Sequence, residues 1–112
     1  MLRTVASAGT CDPTQSLRYE GGRPGFYANQ LVSADQLERP DPRPALRAVR
    51  TPALVLRGEC DYKRPEIAAE YAAAVRGAVL REVPDAGHLI RADQPEAYEK
   101  ALLGFLAGLP PA

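Results

Sequence analysis

The sequence predicts an α/β fold built on a parallel sheet. The apolar run 53–56 and the short strand-like stretch Val79-Leu80-Arg81-Glu82-Val83 each lead into a turn. A stripe of apolar residues at helical spacing follows each run, over 65–75 and over 95–106. Strand, helix, strand, helix is the order of parallel strands joined by right-handed crossovers.

Residues 1–51 read as an irregular segment. Pro13, Pro24, Pro40, Pro42 and Pro44, with Gly9, Gly21, Gly22 and Gly25, break both helical and strand periodicity. The run Gly21-Gly22-Arg23-Pro24-Gly25 is a loop rather than a phosphate cradle. It lacks a Gly-Lys-Ser/Thr ending, and no apolar strand precedes it. A short helix is expected over 26–37, with Phe26, Gln30 or Leu31, and Leu37 on related faces. Pro40-Asp41-Pro42-Arg43-Pro44 reads as a stiff extended connector, because each proline restricts itself and its predecessor. One helical turn over 45–49 then leads into the first strand.

Residues 52–112 carry the stronger signals. The run 53–56 is continuously apolar between Pro52 and Gly58, which suits a strand buried on both faces. Pro65 fits the first turn of a helix, where its missing N–H costs nothing. Glu66 and Glu70 lie near that helix's positive end. Ile67, Ala68, Tyr71, Ala72 and Val75 form its apolar face, and Gly77 stops it. The strand 79–83 is cut by Pro84, and Asp85-Ala86-Gly87 is a turn. Pro95 opens the last helix, with Asp93 and Gln94 as caps, and Ala97, Tyr98, Ala101, Leu102, Phe105 and Leu106 give its stripe.

Parallel strands send their following loops to one edge of the sheet, where open α/β sheets place their sites. Asp61 leaves the first strand and His88, the only histidine of the chain, leaves the second. Neighbouring strands lie about 5 Å apart. A carboxylate on one loop then reaches an imidazole on the other, fixes its tautomer and stabilises the imidazolium formed when the ring takes a proton. Spacing alone leaves other roles open. His88 also suits a turn residue bonded to backbone, and Asp61 a helix-entry residue ahead of Pro65. Glu59 is a rival acid, while Asp85 is expected to shape its turn.

The combination Gly58-Glu59-Cys60-Asp61, Tyr71-Ala72, Val83-Pro84-Asp85-Ala86-Gly87-His88, Asp93-Gln94-Pro95-Glu96 and Phe105-Leu106 resembles the carboxyl-terminal part of the α/β-hydrolase fold superfamily. It is most similar to the proline-iminopeptidase-like branch. The resemblance covers residues 52 to about 106. It implies a partial α/β-hydrolase fold, with Asp61 as the acid and His88 as the base of a Ser-Asp-His triad. It further implies that residues 1–51 are the end of a cap domain and the return into the core.

The nucleophile of such a triad sits in a Gly-x-Ser-x-Gly elbow between strand and helix. Ser7, in Val5-Ala6-Ser7-Ala8-Gly9, has the trailing glycine but not the leading one; Ser16 and Ser33 sit in polar surroundings. Cys11 lacks a strand–turn–helix setting. Acid and base activate a nucleophile and do not replace one. The expectation is therefore the carboxyl-terminal piece of a serine hydrolase, marginally stable and catalytically silent alone. Its partners would be the missing amino-terminal hydrolase portion and, in the intact protein, a small-molecule or peptide substrate. Two competing functions are a non-catalytic module completing a partner's sheet and an α/β protein in which Asp61 and His88 are relics.

The 112 residues allow one small domain, with 46% apolar and 25% charged residues and a formal net charge of zero. The charge argues against a nucleic-acid binder or a polybasic membrane-surface protein. No apolar run approaches the roughly 20 residues needed to span a bilayer, and the amino end is a poor secretory signal. A cytoplasmic protein is expected. No metal, nucleotide or flavin is implied. Cys11 and Cys60 form no metal-ligand pattern with one histidine, and a disulfide is disfavoured in a reducing cytosol. Both are read as small apolar fillers or surface thiols.

Overall fold

A computed structural model of the chain describes residues 9–12 and 25–111. Ser7, Ser16, residues 21–24 of the glycine-rich loop and the Phe26 side chain lie outside the described residues. Strands β1 (Leu54–Gly58) and β2 (Val79–Val83) pair in parallel, in register from Leu54↔Val79 to Gly58↔Val83. Among the described residues five helices accompany them: α1 (Phe26–Glu38), α2 (Arg43–Leu46), α3 (Pro65–Ala74), α4 (Ile90–Asp93) and α5 (Pro95–Ala107). This is a partial α/β-hydrolase-like fold, and α3 is the crossover between its two strands.

The crossover starts and stops where residue chemistry dictates. Arg64 is extended at the N-cap, Pro65 occupies the first turn, and Glu66 faces the positive end of the helix dipole. The helix ends at Ala74, as Val75 turns extended, and Gly77 takes φ +77° to swing the chain into β2. Pro95 similarly opens α5. The expected caps of α5 are absent. Gln94 makes no side-chain cap bond, and the Asp93 carboxylate is drawn to other backbone donors.

The amino-terminal half is less irregular than composition suggests. Helix α1 runs one residue past the expected helix, with Tyr27, Leu31, Val32 and Leu37 all exposed. The expected extended connector ends early, because Arg43 and Pro44 already belong to α2. Asp41 is the cause: its Oδ1 accepts the Arg43 backbone N–H at 2.9 Å and starts the turn. The Arg43 guanidinium also bonds this carboxylate and holds it below the ordinary aspartate range. From α2, Arg43 reaches Glu70 of α3 at 3.2 Å.

The core among the described residues is small. Ala74, Val75, Val83 and Ala86 are buried, and no large side chain is fully enclosed. Leu54, Val55 and Leu56 are half-buried rather than covered on both faces, because among the described residues β1 has one strand neighbour and not two. Ile67 and Tyr71 stay exposed, while α3 packs through Ala74 and the half-buried Ala68 and Ala72. Val83, only 4% exposed, is the more deeply buried of the two core valines. Val83→Ala is expected to lower unfolding stability by about 1.5–2.5 kcal/mol, from lost transfer energy plus cavity cost. Urea denaturation measures this directly.

Candidate active site at the carboxyl edge of the sheet

Parallel register brings the ends of β1 and β2 side by side. Backbone bonds then tie the two following loops together: Glu59 N–H donates to Val83 O at 3.0 Å, and Cys60 N–H to Ala86 O at 2.9 Å. This contact demands glycines. A Cβ on Gly58 would overlap the carbonyl oxygens of Ala86 and Gly87, and one on Gly87 would fall 2.6 Å from Gly9 O and 2.7 Å from Thr10 Cα. Asp85, at φ +54°, makes the tight turn that starts the second loop, a backbone state aspartate tolerates better than most residues.

The loops deliver Asp61 and His88 to each other. His88 Nδ1 lies 3.1 Å from Asp61 Oδ2 and 3.2 Å from Oδ1. A carboxylate only accepts, so Nδ1 carries the proton and Nε2 is left as the acceptor. The Asp61 side chain is 10% exposed, whereas that of His88 is 45% exposed. The carboxylate is thus enclosed and the imidazole presented outward. Asp61 also accepts the Lys63 backbone N–H at 2.8 Å, a local turn that fixes its rotamer. The Tyr62 ring stands 5.0 Å from the imidazole at 52°, and the Lys63 ammonium lies 5.2 Å from the centroid of that tyrosine ring.

The rival acids are otherwise engaged. Glu59 accepts the Asp85 backbone N–H at 3.0 Å and braces the turn. Asp85 contributes its backbone there, and its carbonyl accepts from Gln94 at 3.3 Å. Ser33 lies on α1, its hydroxyl bonded back to Asn29 O at 2.9 Å. An apolar hollow beside His88 is lined by Leu89, Ile90, Ala92 and Tyr98. A larger groove among the described residues lies elsewhere, between the strands and α5, and its lining includes neither Asp61 nor His88.

Two features escaped the sequence reading. Cys11 and Cys60 are joined as a disulfide, with Cα atoms 5.2 Å apart, so neither is a free thiol or filler and Cys11 is no nucleophile. The two loops that carry them meet at the sheet edge, an adjacency that 49 residues of separation conceal. The second is Asp93, whose Oδ2 accepts both the Gly87 N–H at 2.6 Å and the Cys11 N–H at 2.9 Å. No helix among the described residues is long and apolar enough to cross a membrane.

With this geometry in place, residues 5–101 match the alpha/beta hydrolase family. The chain belongs to that family. It is 38% identical over 64 residues to the mouse (Mus musculus) protein ABHD14A, an overlap of 57% of this chain and 26% of that protein. The crystal structure of BpoC from Mycobacterium tuberculosis H37Rv, assigned as a non-heme bromoperoxidase, superposes at TM-score 0.58 and 34% identity, over 62% of this chain and 26% of its own. Rv0554 from Mycobacterium tuberculosis gives TM-score 0.61 and 32% identity, over 65% of this chain and 27% of its own. The chain thus spans about a quarter of the length of the relatives it matches.

Proposed function

We propose that this chain is the carboxyl-terminal portion of a serine hydrolase and carries the acid, Asp61, and the base, His88, of its triad. The observation that carries the reading is the pairing of His88 Nδ1 with an enclosed Asp61 carboxylate beside an outward-facing imidazole. In the intact enzyme Asp61 holds the Nδ1–H tautomer. His88 Nε2 takes the proton of a serine hydroxyl as that oxygen attacks the substrate carbonyl. It then returns the proton to the leaving group, and water repeats the cycle on the acyl-enzyme. The serine, the oxyanion hole and most of the substrate pocket come from the remainder of the hydrolase, which also supplies neighbours for the half-covered sheet.

Within that class, an aminopeptidase of the proline-iminopeptidase type is the finer reading, supported by the motif pattern from Gly58 to Glu96.

The test has two parts. The purified 112-residue chain is expected to show no labelling by a fluorophosphonate probe and no ester hydrolysis. All 112 residues, with the Cys11–Cys60 bridge intact, are then grafted behind the nucleophile-bearing portion of an active serine esterase of this family, in place of its own tail. The chimera is expected to hydrolyse p-nitrophenyl acetate and to accept the probe. A folded, inactive chimera, or hydrolysis by the isolated chain, overturns the proposal.

A further inference from the structure

Three stretches far apart in the chain meet around the acid–base pair. The acid loop runs through Cys60 and Asp61, the base loop through Gly87 and His88, and the third stretch is 9–12. Leu89 N–H donates to Gly9 O at 2.9 Å, and Gly87 packs against Gly9 and Thr10 so closely that a Cβ has no room. Asp93 Oδ2 gathers the N–H groups of Gly87 and Cys11 onto one oxygen. The Cys11–Cys60 disulfide completes the circuit on the acid side, one residue from Asp61. A closed ring results: Cys11 to Cys60 through sulfur, Asp61 to His88 through the imidazole, Gly87 to Asp93 and Asp93 to Cys11 through the carboxylate.

We infer that segment 9–12 is a clasp that positions the acid against the base. The disulfide fastens it to the Asp61 loop and Asp93 fastens it to the His88 loop, so that reduction of Cys11–Cys60 uncouples the pair. The inference rests on the acid–base reading of Asp61 and His88 and adds regulation to that same site. Asp93 and the two cysteines are positioning residues; none faces a reacting atom. Apart from the bridge, the Asp61 loop is held internally by Asp61 N–H to Gly58 O and by Lys63 N–H to the Asp61 carboxylate. Across to the base loop it is held by Glu59 N–H to Val83 O, Cys60 N–H to Ala86 O and Asp85 N–H to the Glu59 carboxylate. These cross-loop bonds all lie at or before Cys60, so the bridge is what fixes the loop beside Asp61 itself. A shift of the loop by an ångström is enough to break a 3.1 Å contact to the imidazole. The bridge is open to attack, since Cys60 is exposed and Cys11 half-buried.

The chemistry needs a dithiol reductant. One of its thiolates attacks a sulfur of the bridge, the Cys11–Cys60 bond breaks, and a mixed disulfide forms. The second thiol of the reductant displaces the protein sulfur. Two electrons pass to the protein, which ends as two thiols, and the reductant leaves as its cyclic disulfide.

The single histidine makes the test direct. The full chain is labelled with 15N-histidine, and the imidazole nitrogens are read by NMR in the oxidised form and in excess dithiothreitol. The oxidised chain is expected to show the Nδ1–H tautomer with a downfield Nδ1 proton. The reduced chain, and Cys11→Ser/Cys60→Ser, are expected to lose that signature while the helical circular dichroism stays. Asp93→Asn is expected to weaken it with the bridge intact, as verified by the absence of free thiol. Asp61→Asn is expected to abolish it in either redox state.

A reduced, folded chain that keeps the signature overturns the clasp and leaves the acid–base reading standing. Loss of the helical signal on reduction also overturns it, because the bridge is then a general staple. An oxidised chain whose imidazole is indifferent to Asp61→Asn overturns the acid–base reading itself.

Discussion

His88→Ala in the esterase chimera is expected to lower kcat by roughly 10^4- to 10^6-fold, with KM for the ester nearly unchanged. The effect is this large because the base is used in both half-reactions. It removes the serine proton on attack and returns it to the leaving group, and the grafted segment has no second histidine to take over. Asp61→Asn is expected to cost about 10^4-fold. The asparagine keeps the shape but presents an amide in place of a pure acceptor, so Nδ1–H loses its partner and the ring settles in the wrong tautomer. Both variants are expected to keep the fold, since His88 is half exposed and Asp61→Asn is nearly isosteric. Steady-state kinetics on p-nitrophenyl acetate, with burst amplitudes to count active sites, measures the loss. A decline below tenfold for His88→Ala would place the base elsewhere.

The largest expected effect on stability comes from the two glycines at the loop junction. Gly58→Ala sets a methyl group into the carbonyl oxygens of Ala86 and Gly87, and Gly87→Ala sets one against Gly9 O and Thr10 Cα. In each case the obstacle is backbone, which cannot rotate aside as a side chain can. Overpacking of this kind costs typically about 1–3 kcal/mol and displaces the loop as well. In a chain with so few buried residues that is a large share of the total. Gly108→Ala is the control, since its added methyl group would meet its nearest atoms at ordinary contact distance, 3.6 Å. Urea midpoints of the three variants are expected to rank Gly108→Ala well above the other two.

The alternation of strands and helices was legible because each element has its own punctuation. Pro65 and Pro95 mark helix starts, Gly77 marks a turn, and strand β2 runs over the expected 79–83. The meeting of Asp61 and His88 was legible for the same reason, since each follows a strand end directly. What stayed hidden depends on distance along the chain. The continuous apolar run of β1 implies cover on both faces, yet how much cover exists is decided by how many strands adjoin it. Asp93 has the composition of a helix cap and acts instead across 82 residues, on Cys11. The cysteines carry no spacing motif, so only the meeting of two loops reveals their bond. Helix α4, four residues long, has too short a pattern to register.

The parallel ladder also sets an order of assembly. Each β1–β2 pair is separated by 25 residues, as in Leu54↔Val79, and the acid and base by 27. Closing a loop costs about (3/2)RT ln n, so the 82-residue closure from Cys11 to Asp93 is less favourable than the 27-residue one by about 1 kcal/mol. The strand–helix–strand unit therefore forms as a local nucleus and carries Asp61 and His88 into reach as it does so. Segment 9–12 docks onto a pair already assembled. In native-state hydrogen exchange the Cys60 amide, which belongs to the nucleus, is accordingly the slower to exchange, and the Cys11 amide opens first.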